Sequence, residues 1–139
     1  MFDRYTIAAR RVVFFARASA GEAGAREIDT DHLLWGLLRD SEAWQGLLDP
    51  TAAGQLLLAL ESAPPRGPAS PYGDMLLSGD ARNALAFAAE EANRLGESNI
   101  GCRHILVGLL RVPESRAARL LAPQGVTLEG VRRKAEGAL

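Results

Sequence analysis

The 139 residues contain one cysteine, Cys102, and one lysine, Lys134. A lone thiol cannot close an internal disulfide, and it fits a reducing compartment. The two histidines, His32 and His104, are separated by 72 residues; with a single cysteine they give no metal-ligand spacing, so no metal is expected. No G-x-x-x-x-G-K-[ST] stretch exists, and Lys134 follows Arg133 rather than glycine. That argues against nucleotide hydrolysis through a P-loop. No G-x-S-x-G elbow offers a nucleophilic serine. Apolar runs are short everywhere, and MFDRYTIAARR is not a signal peptide. The expectation is therefore a cytoplasmic protein without membrane contact. A formal net charge of −1 removes the electrostatic basis for generic nucleic-acid binding.

What remains is 47% hydrophobic and 24% charged, enough for one globular domain with a core that needs no staples. Its main feature is repetition. Asp31–Arg39 reads DHLLWGLLR and Arg103–Arg111 reads RHILVGLLR, an offset of 72 residues. The same offset pairs Ala9 with Ala81, Phe15 with Phe87, Ala16 with Ala88, Ala20 with Ala92, Gly24 with Gly96, Ile28 with Ile100 and Gly36 with Gly108. So many matches at one separation mark a duplicated unit.

Each unit reads as helices. Ala9, Val12, Val13, Ala16 and Ala20 lie on one face of a 3.6-residue period, and Ala81, Ala84, Leu85, Ala88 and Ala92 repeat it. Thr6 and Ser78 are suited to N-cap these helices, and Gly24 and Gly96 to end them. Thr30 is the expected cap of a second helix with Leu33, Leu34, Leu37 and Leu38 as its buried stripe. Ile105, Leu106, Leu109 and Leu110 are their counterparts. Gly36 and Gly108 fall mid-helix, where glycine costs about 1 kcal/mol relative to alanine, so close helix packing is the expected reason for both. A third short helix is predicted from Ser41 and Glu42 through Leu48, with its counterpart opening at Pro113 and Glu114. Thr51–Glu61 and Thr127–Ala138 supply the fourth pair. Ala63–Asp74 carries four prolines and two glycines and reads as an exposed connector. The fold class is all-α: two tandem four-helix repeats with pseudo-twofold symmetry, repeat one over 1–62, a linker over 63–77 and repeat two over 78–139.

Few side chains in this pattern suggest chemistry. His32 and His104 read as first-turn residues that bond locally, since no carboxylate or cysteine recurs at ligand spacing around both. Cys102 at a helix start could be a reactive thiolate; as the repeat equivalent of Thr30 it reads instead as a neutral replacement for a capping residue. Trp35 and Trp44 read as core rather than as a partner patch, because Val107 replaces Trp35 in the second unit. Glu90–Glu91 and Arg10–Arg11 read as solvated helix faces.

The segments MFDRYTIAARRVVFFARASA, IDTDHLLWGLLRD, ARNALAFAAEEANRLG and NIGCRHILVGLLR resemble the Clp N-terminal (Clp repeat) domain that caps Clp and Hsp100 AAA+ unfoldases, in particular its ClpC type. The resemblance covers essentially the whole chain, with Pro64–Asp74 its least characteristic part. It implies a docking module without catalysis or cofactor, whose partners are Clp unfoldase or protease components, adaptor proteins or clients, with no nucleic acid and no membrane. It also implies phosphoarginine binding at two pseudo-equivalent sites, each at the opening of a repeat's second helix. Mapped onto this chain, the first site has Thr30 for the phosphate, Asp31 for the guanidinium and His32 beside them. The second has Cys102, Arg103 and His104, a degenerate set in which a base replaces the acid; Arg103 suits a plain anion or an acidic side chain instead. A stand-alone accessory protein (adaptor, decoy or assembly factor) is an alternative within the family. A small helical enzyme using His32 or His104 is the alternative from another class. A helix-turn-helix DNA binder is disfavoured, since no helix carries a basic, base-reading face.

Overall fold

Thr6 and Ser78 each cap a long helix. In the computed structural model, which describes residues 2–69 and 75–137, α1 spans Ile7–Glu22 and its Thr6 cap accepts the Ala9 N–H at 3.1 Å. The helix at the equivalent place in the second repeat, Gly79–Arg94, has Ser78 accepting the Ala81 N–H at 3.0 Å. Both end alike. Gly24 (φ +69°) and Gly96 (φ +71°) take the left-handed backbone, and the residue after each donates back to a carbonyl of the last turn, Ala25 to Ala20 and Glu97 to Ala92, both at 2.9 Å. This closure satisfies carbonyls that the helix end leaves open.

In chain order the elements are α1, strand β1 (Glu27–Ile28), α2 (Thr30–Leu38), α3 (Ser41–Trp44), α4 (Pro50–Glu61), β2 (Leu76–Leu77), α5 (Gly79–Arg94), α6 (Cys102–Leu110), α7 (Arg116–Leu121), a 3-10 turn over Ala122–Gln124 and α8 (Leu128–Gly137). The predicted all-α architecture of two four-helix units holds. The end of the predicted last helix at Ala138 and residues 70–74 of the connector lie outside the described residues.

The central helices are α2 and α6. Leu33, Leu34, Leu37, Leu38, Ile105, Leu106 and Leu109 are buried, and Leu110 is half-buried. Each central helix lies tightly on the long helix of its own repeat. A Cβ on Gly36 would overlap the carbonyl oxygen of Val12, and one on Gly108 that of Ala84. The mid-helix glycines are thus required by backbone contact. Arg39 stacks over Phe15 at 4.6 Å and its equivalent Arg111 over Phe87 at 4.1 Å, so the internal symmetry extends to the surface.

Two short extended segments, absent from the sequence reading, join the repeats. Ile28 pairs in parallel with Leu77, and its equivalent Ile100 bridges Tyr5. Ser78 N–H donates to the Ile28 carbonyl at 2.9 Å, and Thr6 N–H to the Ile100 carbonyl at 3.0 Å. Each repeat therefore lends the residues before its first helix to the other, a reciprocal exchange that expresses the pseudo-twofold axis.

Several boundaries differ from those predicted; α4 starts at Pro50 and α8 at Leu128, one residue from the expected Thr51 and Thr127. Asp29, not Thr30, caps α2. The third helix ends at Trp44 instead of Leu48, because the chain turns at Gly46 (φ +82°); the Trp44 indole N–H then reaches the Leu38 carbonyl at 3.2 Å. Its counterpart starts after Pro113 and Glu114, where Ser115 caps α7 by accepting the Ala118 N–H at 3.3 Å. The proline at a helix start is Pro50 of α4, where a missing N–H costs nothing.

Candidate functional site

The segment that opens α2 carries three consecutive polar residues with three different tasks. Asp29 is fixed by structure: its Oδ1 accepts from the Thr30 N–H at 2.7 Å and from the Ser78 hydroxyl at 2.9 Å, while Arg116 approaches Oδ2 at 3.4 Å. Thr30 is fully buried, and its hydroxyl accepts the Ala117 N–H at 3.1 Å. It therefore does not cap α2, a correction to that expectation, and its hydroxyl is engaged inside the fold. Asp31 alone points toward a pocket.

His32 occupies the third helical position, buried, where its Nδ1 accepts the Asp29 N–H at 2.9 Å. His104 does the same for Gly101 at 2.8 Å, and there it serves in place of a side-chain cap, since glycine has none. Burial lowers the pKa of both rings, with neighbouring carboxylates pulling the other way. The neutral ring that accepts through Nδ1 carries its proton on Nε2. For His104 that proton faces Glu97 Oε1 at 3.4 Å. Both histidines thus bond locally, as their first-turn position predicts, and this geometry favours capping over general-base chemistry. Cys102, the first residue of α6, is buried and its thiol is pushed up to about 11, mainly by desolvation. A thiol in that state is not a reactive thiolate, and as it lies inside the helix it does not cap it.

Two pockets flank these openings at equivalent positions. The first, about 60 Å³, is lined by Ser19, Ala23, Asp31, His32, Trp35, Leu60, Pro64 and Arg66 among others. The second, about 270 Å³, is lined by Glu91, Leu95, Glu97, Arg103, His104, Val107 and Arg132 among others. The repeat offset carries Ser19 onto Glu91, Ala23 onto Leu95, Asp31 onto Arg103, His32 onto His104 and Trp35 onto Val107. The acid of the first pocket is a base in the second, as the two DHLL and RHIL motifs predict. Asp31 pairs with Arg66 and Arg103 pairs with Glu97.

Five charged residues of these pockets, Arg66, Glu91, Arg94, Glu97 and Arg132, escaped the sequence reading. Glu91 is not solvated: it is 2% exposed, with Arg132 donating to both its oxygens (2.8 and 3.1 Å) and Arg94 adding a second fork. The Arg94 hydrogen bond first, helped by Arg132, pulls its carboxyl down to about 2 against the opposing effect of burial. The signal was available, because Glu91 lies one turn beyond Ala88 on the buried face of α5. Glu97, Arg132 and Arg66 carried no such periodic signal. Trp35 is half-buried and lines the first pocket, and Trp44 packs on the core.

Among the described residues no helix is long and apolar enough to cross a membrane. The family model for the Clp repeat N-terminal domain matches residues 76–139. Over 96% of this chain, the negative regulator of genetic competence ClpC/MecB of Bacillus subtilis is 33% identical, and the chaperone protein ClpB of Oceanobacillus iheyensis is 32% identical. The chain spans 17% of the length of each of these relatives. Among solved structures, the N-terminal domain of the chaperone ClpD from Arabidopsis thaliana superposes with a TM-score of 0.70 at 24% identity, over 99% of this chain and 96% of that one. The Hsp104 N-terminal domain of Candida albicans superposes with a TM-score of 0.75 at 16% identity, over 96% of this chain and 89% of that one. At these identities the two structures establish the fold alone.

Proposed function

This chain carries a Clp repeat N-terminal domain, and from that premise we propose that it is a non-catalytic docking module that presents clients or adaptor proteins to a Clp-type unfoldase. Both repeats, 1–62 and 78–139 with their 63–77 linker, act as one such module. The observation that carries the reading is the pair of equivalent pockets at the openings of α2 and α6: a duplicated concave site suits recognition of a side chain. The histidines beside them are buried and engaged in capping, which favours docking over catalysis by His32 or His104.

The finer proposal concerns the ligand. Asp31 offers the first pocket a carboxylate for a guanidinium, so phosphoarginine, if a client bears it, binds the first repeat. Arg103 gives the second pocket the same charge as that guanidinium and disfavours it. Thr30 contributes only through the position of the helix start, since its hydroxyl is engaged by Ala117.

A graft tests the docking role. The chain replaces the N-terminal domain of Bacillus subtilis ClpC, and ATP-dependent degradation of an arginine-phosphorylated client is followed with the partner protease. Degradation restored above that of a ring lacking the domain supports the reading. A graft no better than the truncated ring contradicts it.

A further inference from the structure

The first-repeat pocket already holds a guanidinium, and it comes from the chain itself. Arg66 lies in the connector after α4. Its backbone N–H donates to the Ala23 carbonyl at 2.7 Å, and its guanidinium pairs with Asp31 Oδ2 while standing 3.4 Å from His32 Nε2. Since both of those nitrogens carry protons, the His32 approach adds no hydrogen bond. The next residue presses its carbonyl against Gly24 so closely that a Cβ there would overlap it. At the equivalent Gly96 nothing lies within 4 Å of the same position. The second pocket is open at about 270 Å³ and the first is reduced to about 60 Å³. Pro64 and Arg66 of the connector line the smaller pocket, as does Trp35 where the larger one has Val107.

The arginine is incompletely seated. One nitrogen, Nη2, meets one carboxylate oxygen. Asp31 Oδ1 is buried and has no hydrogen-bond partner among the described residues, although guanidinium and carboxylate can pair through two parallel bonds. A buried acceptor without a donor opposes this arrangement. A guanidinium delivered in fork geometry would satisfy both oxygens.

We infer that Arg66 is a tethered, displaceable occupant of the Asp31 pocket, so that the first repeat is a self-blocked receptor for the guanidinium of an incoming side chain. The inference rests on the docking reading above and adds an internal competitor to it. A tethered occupant competes at an effective concentration set by its linker, and it weakens an outside ligand by the fraction of time the pocket is closed. The incoming guanidinium could be that of arginine or of phosphoarginine, since Asp31 makes the same contact with each. If Arg66 were only a structural staple, removing it would loosen the connector without improving binding.

The test titrates N-acetylarginine methylamide in one arm and free phosphoarginine in the other, following the Trp35 indole N–H by NMR. Wild type, Arg66→Ala and Asp31→Asn are compared, each checked for folding by thermal melting. A ligand-free readout accompanies them: tryptic cleavage of the Arg66–Gly67 bond. Arg66→Ala is expected to bind at least one ligand about tenfold more tightly than wild type, and the arm that gains identifies the source. Asp31→Asn is expected to bind neither and to be cut after Arg66 faster than wild type. Equal or weaker binding by Arg66→Ala than by wild type overturns the self-blocking role and leaves the docking reading standing. Absence of binding by both wild type and Arg66→Ala overturns the guanidinium assignment of the pocket, and the inference with it.

Discussion

The hydroxyl of Thr30 accepts the backbone N–H of Ala117 at 3.1 Å, a bond that spans 87 residues and ties the first repeat to the second. It fills the role that a water or a cap would otherwise play at the start of α7, inside the core. Thr30→Val keeps the shape and removes the acceptor, leaving a buried N–H unpaired. The expected loss is about 1–3 kcal/mol, seen as a lower urea midpoint with unchanged slope, while Thr30→Ser retains most of the stability. A Thr30→Val protein as stable as wild type would show that the bond contributes nothing.

Glycine substitutions should change sign with position. Gly36→Ala and Gly108→Ala place a methyl into the carbonyls of Val12 and Ala84, and the overlap is expected to cost about 1–3 kcal/mol despite the better helix propensity of alanine. Gly54 in α4 is exposed and a Cβ there meets nothing within 4 Å. Gly54→Ala is expected to stabilise by about 0.5–1 kcal/mol. Thermal melts of the three variants check the contrast.

Acid should weaken the protein in two steps. The folded rings of His32 and His104 resist protonation, their pKa values lying below the ordinary 6.5. The unfolded chain therefore takes up more protons as pH falls through 6.5, and stability drops there; between that range and pH 8 the histidines add no further dependence. Glu91, held down to about 2, contributes stability that is present above its ordinary value of 4.5 and lost as pH falls from there toward 2. Glutamine at the third helical position can also reach the cap N–H. The double variant His32→Gln, His104→Gln is thus expected to fold and to lose the first step only. Urea midpoints measured from pH 8 to pH 3 test this, and an unchanged first step in the double variant would contradict it.

The repeat, the helix order and the paired glycines were legible because each leaves a local or periodic trace. Thr6, Ser78, Gly24 and Gly96 act where a local rule places them. The start of α2 was less legible because Asp29, Thr30 and Asp31 are all competent caps, and only the burial of Thr30 against α7 decides among them. Pro113 suggested a helix start, but Ser115 two residues later offers a hydroxyl to the Ala118 N–H, and the helix follows the cap. Glu91 was misread from its charge although its position on the Ala84–Ala88 face pointed inward. Arg66 left no trace at all: a connector residue gains its meaning only when the chain folds back onto Asp31.

We propose that recognition resides in one of the two pockets, through Asp31. The most direct test is the fluorescence anisotropy of a labelled peptide bearing a single phosphoarginine, titrated with wild type, Asp31→Ala and Arg103→Ala. One saturable site is expected in wild type, retained in Arg103→Ala and lost in Asp31→Ala. Two equal sites in wild type, or undiminished binding by Asp31→Ala, would contradict the proposal.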